Sequence, residues 1–163
     1  MKIGLYSKNK ISRRSTKANF EEIVYQQIGA LCYRLTHKKL KILLITSRRS
    51  KKWIIPKGWK VDELSSRKSV ALEAWEEAGV QGRVSEKPVG TYYYRKKKKS
   101  EGFFTCAVNV FTIDVQSSKK IYPEQGQRQK KWIDALEATE LIVEPELKNL
   151  IRKLSKKINK VDD

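Results

Sequence analysis

The stretch from Gly58 to Val80, GWKVDELSSRKSVALEAWEEAGV, constrains this chain more than any other. Its second half carries Glu73, Glu76 and Glu77, spaced so that a helix brings them onto one side, because residues three and four apart are neighbours there. A projection at ~100° per residue puts Ala71, Ala74, Trp75 and Ala78 opposite, as a small apolar face fit to pack on a sheet. Two carboxylates ~6 Å apart repel by about 3 kcal/mol at an effective dielectric of ~20. A fold tolerates three of them if some are protonated, if basic side chains interleave, or if a hard divalent cation sits among them. Oxygen-only ligands of this kind suit Mg²⁺ or Mn²⁺. Gly79 stands where a helix ends in a left-handed turn, and Ser65 or Ser66 is the expected N-cap.

The spacing resembles the Nudix box, the signature of the Nudix hydrolases: G, five residues, E, seven residues, R-E-U, one residue, E-E, one residue, G-U. Gly58, Glu73, Ala74, Glu76, Glu77, Gly79 and Val80 fall in register. Leu64 stands in place of the first glutamate and Leu72 in place of the arginine. The sequence around the box is closest to bacterial Nudix proteins similar to diphosphoinositol polyphosphate and dinucleoside polyphosphate hydrolases. The resemblance implies an α/β/α sandwich with a mixed β-sheet and the box as loop–helix–loop. It also implies Mg²⁺- or Mn²⁺-dependent cleavage of a pyrophosphate bond in a nucleoside diphosphate derivative, a dinucleoside polyphosphate or a diphosphoinositol. By position, Glu73, Glu76, Glu77 and the Gly58 carbonyl match the family's metal contacts. Glu73 and Glu77 are the candidates for the catalytic, water-orienting role. Glu124, beyond the box, is either a further ligand or base, or a solvated loop acid.

Pattern along the rest of the chain agrees with an α/β fold. QQIGALCYRL and KILLITS read as strands joined by a THKK turn, and Trp53–Ile55 as a short strand ended by Pro56. Val80–Val84, Pro88–Arg95, Phe103–Val115 and Gln129–Ile133 are further strands, with Lys96–Lys99 at a hairpin tip. Asp134 or Thr139 is placed to cap the segment after the last of these strands. Pro145 opens a helix whose Leu147, Leu150, Ile151, Leu154 and Ile158 share a face. Residues 1–20 read as an irregular basic arm, 21–158 as one domain and 159–163 as a frayed tail.

Charge narrows the partners. Lys and Arg outnumber Asp and Glu by 36 to 18, giving +18, an excess that favours anionic partners or simply covers a solvated surface with lysine. Arg48 and Lys57 flank the box and are the candidate phosphate contacts. At most Tyr92 with Tyr94, or Tyr93 alone, can face the site, since alternate strand residues point opposite ways; the alternative is a hairpin with one tyrosine in the core and a solvated tip. Two cysteines without metal-type spacing suit a reducing compartment, hence a cytoplasmic protein. No apolar run approaches the ~20 residues that span a bilayer. Two other classes compete with the hydrolase: a Nudix-fold binding module without catalysis, for which Leu64 and Leu72 speak, and a nucleic-acid-binding protein, for which no motif is present. Hydrolysis at an RNA 5′ end would reconcile the first and the last.

Overall fold

A computed structural model describes residues 11–15, 21–98 and 102–160. The described strands are β1 (Ile11–Ser15), β2 (Glu21–Thr36), β3 (Lys39–Thr46), β4 (Trp53–Ile54), β5 (Lys57–Gly58), β6 (Val80–Val84), β7 (Gly90–Lys98), β8 (Gly102–Ser118) and β9 (Lys130–Asp134). The helices are α1 (Ser66–Ala78), α2 (Ala135–Leu141) and α3 (Pro145–Asn159). All nine of these strands join one sheet, whose central path runs β4-β3-β2-β8-β6. β2 and β8 pair in parallel from Val24↔Thr105 to Tyr33↔Asp114, and the remaining pairings are antiparallel. The sheet is therefore mixed, as expected.

Alternation along the central strands builds two cores, one on each face. Leu31, Ile42, Leu44, Tyr92, Val108 and Val110 meet α2 and α3 through Ala138, Leu147, Leu150 and Ile151. Ala30, Cys32, Leu43, Ile45, Phe111 and Ile113 meet α1 through Val70, Ala74 and Ala78. Strand residues one apart thus serve opposite layers, and the result is the α/β/α sandwich. α3 starts at Pro145, whose missing N–H costs nothing in the first turn.

The β2–β3 hairpin turns through His37 (φ 50°) and Lys38 (φ 61°), both left-handed, with Thr36 opposite Lys39. Two left-handed residues match the twist of the flanking strands. Asp134 occupies the position before α2, but its side chain makes no capping hydrogen bond there. Its carboxylate instead pairs with Lys41 Nζ at 2.7 Å.

Four expectations are revised. Residues 11–15 are not irregular: they form β1 antiparallel to Glu21–Tyr25 of β2. Backbone pairing with an open strand end needs no apolar alternation, so a polar segment gives no periodic signal. Residues 1–10 and 16–20 lie outside the described residues. The lysine run is not all tip, since Lys96, Lys97 and Lys98 pair with Phe104, Phe103 and Gly102 in the β7–β8 ladder, and Lys99 lies outside the described residues. α3 ends at Asn159, one residue into the 159–163 tail expected to fray, with 161–163 undescribed. Finally, α1 packs through a different stripe. Its buried residues are Ser69, Val70, Glu73, Ala74, Glu77 and Ala78, whereas Ala71 and Trp75 are only half-buried. Glu73 and Glu77 thus adjoin the packing face instead of opposing it, and the cleft they serve must lie at the edge of the helix–sheet contact.

Candidate active site

α1 is fixed at both ends by its own sequence. The Ser65 hydroxyl accepts the Lys68 N–H at 3.2 Å, the usual service of an N-cap serine. At the other end Gly79 has φ 68° and its N–H reaches Trp75 O at 2.9 Å. Buried Ser69 accepts the Val61 N–H at 3.1 Å, which pins the loop preceding the helix.

The segment before that loop approaches the helix closely. Ala30 N–H donates to Pro56 O at 2.8 Å, and Lys57 and Gly58 pair with Gly29 and Ile28 as β5. This two-residue pairing was not expected, and it fixes Gly58 against the acidic edge of α1. A Cβ built on Gly58 would lie 2.4 Å from Glu73 Cδ and 2.5 Å from its Oε1. Only glycine allows that approach. The adjacent Lys57 N–H donates to Glu77 Oε2 at 3.3 Å. Both acids are buried, Glu73 to 1% and Glu77 to 5% exposure.

A third segment, the loop of residues 119–129, closes over them. Glu124 N–H donates to Glu76 O at 2.9 Å, and Lys119 N–H to Gly79 O at 2.8 Å. Lys130 Nζ donates to Ala78 O at 2.9 Å. The loop's far end is stitched to β3, with Gln129 N–H on Thr46 Oγ1 at 2.9 Å and Thr46 N–H on Gln129 O at 3.0 Å. Glu124 is buried to 7% exposure, so it is not a solvated acid. Arg128 Nη2 stands 3.3 Å from Glu77 Oε1 and 3.5 Å from Glu124 Oε1, and its Nη1 donates to Thr46 O at 3.1 Å. Arg48 Nη1 lies 3.5 Å from Glu124 Oε1 and donates to Gln127 Oε1 at 3.3 Å.

The electrostatics are those of charges taken out of water. Burial pushes the Glu77 carboxyl above the ordinary range; Arg128 opposes this, Glu124 adds to it, and Lys57 opposes it again. Burial likewise lowers the Lys57 ammonium, with Glu77 the main counterweight. Lys57 Nζ lies 4.7 Å from the Tyr94 ring centroid, a cation–π contact. The Tyr94 hydroxyl and Gln27 Oε1 are 2.6 Å apart. Tyr92 is buried in the core below, and Tyr93 points to the other face, exposed. Tyr94 is thus the tyrosine beside the site.

The structure gathers Gly58, Glu73 and Glu77 with Lys57, and brings in Glu124 and Arg48 through the loop. Glu76 is half-buried and joins this group through its backbone carbonyl. Among the described residues no three acids, histidines or cysteines already converge as a ligand set. The donor chemistry still fits a hard divalent cation: carboxylates only, with one of them seated where a Cβ at residue 58 would be. Gly58→Ala is accordingly expected to weaken Mn²⁺ binding about tenfold or more, read by titration of the metal. Arg128 was missed from sequence. It sits in a loop without periodicity, and its only signal was a lone arginine four residues after a candidate acid.

No family model matches the chain. It is similar to Nudix hydrolase 13, mitochondrial, of Arabidopsis thaliana, with 33% identity over 108 residues, 63% of this chain and 54% of that protein. It is also similar to that organism's Nudix hydrolase 21, chloroplastic, with 33% identity over 123 residues, 71% of this chain and 59% of that protein. The chain spans between half and two thirds of the length of these curated relatives. Among solved structures, the fold matches a Caenorhabditis elegans Ap4A hydrolase binary complex with a TM-score of 0.61 at 19% identity, covering 83% of this chain and 98% of that one. It also matches the Nudix domain of Shewanella oneidensis NrtR complexed with ADP ribose, with a TM-score of 0.56 at 15% identity, covering 78% and 86%. With the box in register along α1 and curated relatives at 33% identity that are named Nudix hydrolases, the chain belongs to the Nudix hydrolase family.

Proposed function

We propose that this protein is a Mg²⁺- or Mn²⁺-dependent pyrophosphohydrolase acting on a nucleoside diphosphate derivative, a dinucleoside polyphosphate or a diphosphoinositol. One observation carries the reading: Glu73, Glu77 and Glu124 are buried at one edge of α1, and Lys57, Arg48 and Arg128 stand around them. Buried like charges are costly unless they are paired or hold a cation. Such an arrangement is suited to a substrate that is itself a line of phosphates.

Glu73, Glu76, Glu77 and the Gly58 carbonyl would hold the cations. When bound, these supply a lowered pKa for water and neutralise charge developing on phosphoryl oxygens. Glu77 or Glu73 takes the proton of the attacking water, whose oxygen forms the new bond to phosphorus as the bridging P–O bond breaks. The bridging oxygen leaves as a phosphate oxyanion. Lys57, half-buried beside Tyr94, meets the phosphate chain from the β5 side, and exposed Arg48 meets it from the loop side. The names of two fold neighbours, with Ap4A in one and ADP ribose in the other, support a phosphate-rich nucleotide ligand. A cytoplasmic location is supported by two buried free thiols, Cys32 and Cys106. Among the described residues no helix is long and apolar enough to cross a membrane.

The test is a panel of nucleoside diphosphate sugars, dinucleoside polyphosphates, diphosphoinositols and triphosphorylated or capped RNA, each with Mg²⁺, Mn²⁺ or a chelator. Cation-dependent release of phosphate products from at least one class is expected, abolished by the chelator. Tight binding of a panel member without turnover under any condition would replace the enzyme with the binding module that Leu64 and Leu72 favour.

A further inference from the structure

The helix lacks the arginine that its box would carry one turn before Glu76; Leu72 stands there, half-buried. Glu77 of the helix and Glu124 of the loop nevertheless meet, and the contacts that join them converge on one side chain. Arg128 is 8% exposed, and one of its guanidinium nitrogens, Nη2, faces both Glu77 Oε1 and Glu124 Oε1. Its other terminal nitrogen, Nη1, donates to Thr46 O, a backbone carbonyl at the end of β3. Thr46 also accepts the Gln129 N–H and donates its own N–H to Gln129 O, so the backbone beside Arg128 is tied to the same residue. The guanidinium is therefore planted on the sheet and reaches across to an acid of the helix and an acid of the loop. A planar, always charged fork with several donors suits such bridging, and a lysine does not replace it well.

We propose that Arg128 is the positioning residue that orders the acids of this site, in place of the arginine absent at Leu72. The inference rests on the metal site described under the proposed function. Arg128 acts through Glu77 and Glu124, setting the separation of helix and loop acids so that a cation and its water meet a fixed frame. It does so from a different element: the missing arginine would brace the acids from within α1, whereas Arg128 braces them from the loop and the β3 end.

The test uses the full-length protein, with Mn²⁺ alone as the binding probe and the best panel substrate for turnover. Arg128→Met is expected to lose about 10–100-fold in Mn²⁺ affinity, with the loss in turnover falling on kcat more than on KM. Arg128→Lys is expected to lie between it and the parent. Leu72→Arg, introduced into the Arg128→Met protein, is expected to recover about tenfold or more of the lost affinity. Circular dichroism and thermal melting establish that each variant is folded; should Arg128→Met fail to fold, Arg128→Lys and its pairing with Leu72→Arg carry the comparison. A folded Arg128→Met protein that binds Mn²⁺ and turns over within about twofold of the parent overturns the proposal. A loss recovered by neither Arg128→Lys nor Leu72→Arg does so too. A parent that binds no Mn²⁺ removes the metal site and the clamp together. A parent that binds Mn²⁺ without hydrolysing any substrate overturns the enzymatic reading alone.

Discussion

Glu77→Gln should lower kcat by about 10³-fold and leave the protein at least as stable near neutral pH. The two expectations have one origin. Glu77 is almost fully buried, and burial, the largest influence on it, raises its carboxyl above the ordinary range. A carboxyl that binds its proton more tightly in the folded state than in the unfolded one makes stability fall as pH rises from the unfolded pKa to the folded one. Above that window the full cost of an ionised buried acid is present. Glutamine has the same shape and no charge to desolvate, while Arg128 keeps Glu124 as a partner. The melting temperature at pH 7 should therefore stay within about 3 °C of the parent or rise, and the decline in stability from about pH 5 upward should flatten. Turnover with Mg²⁺ and thermal melts across pH read both effects. Unchanged kcat would remove Glu77 from the chemistry, and a large fall in melting temperature would show that its charge holds the fold.

The second large effect is structural. Gly79→Ala is expected to destabilise the protein by about 3 kcal/mol, a fall of roughly 9 °C in melting temperature. Gly79 ends α1 in the left-handed region, where an alanine Cβ is strained, and that Cβ would stand 2.3 Å from Tyr122 Cδ1. Tyr122 belongs to the loop that carries Glu124 and Arg128, and Gly79 O accepts the Lys119 N–H at the loop's start. Relieving the clash moves this loop, so activity measured well below the melting transition should fall too. An alanine variant melting within about 1 °C of the parent would show that the loop yields freely.

Much of the scaffold was legible because its elements are local. The α1 limits came from Ser65 and Gly79, the β2–β3 turn from the break between two apolar runs, and α3 from Pro145 and the spacing of Leu147, Leu150 and Ile151. Glu73, Glu76 and Glu77 were picked out by their spacing, whereas Glu124, outside the box, was left open between ligand and solvated acid. The features that left no mark in the sequence depend on partners remote along the chain. β1 and β5 are defined by β2's backbone, which leaves no trace in their side chains. The stripe on which α1 packs was misplaced because the wheel was divided by polarity, whereas the fold buries Glu73 and Glu77 beside Val70, Ala74 and Ala78. Arg128 joins Thr46 to Glu77 across three segments, and no periodicity encodes such a bridge.

The parallel ladder between β2 and β8 also governs how this molecule assembles. It joins Val24 to Thr105 and Tyr33 to Asp114, with β3 to β7 and α1 lying between them in the chain. Contacts so distant in sequence require a large loop to close before they give any return, and chains rich in them fold slowly. The β2–β3 and β7–β8 hairpins and α1 can form from their own neighbourhoods; the central ladder cannot. Until it closes, two long strands with apolar residues on both faces stand open to pairing with other chains. The net charge of +18 then has a use unrelated to any ligand, since like-charged half-folded chains repel one another.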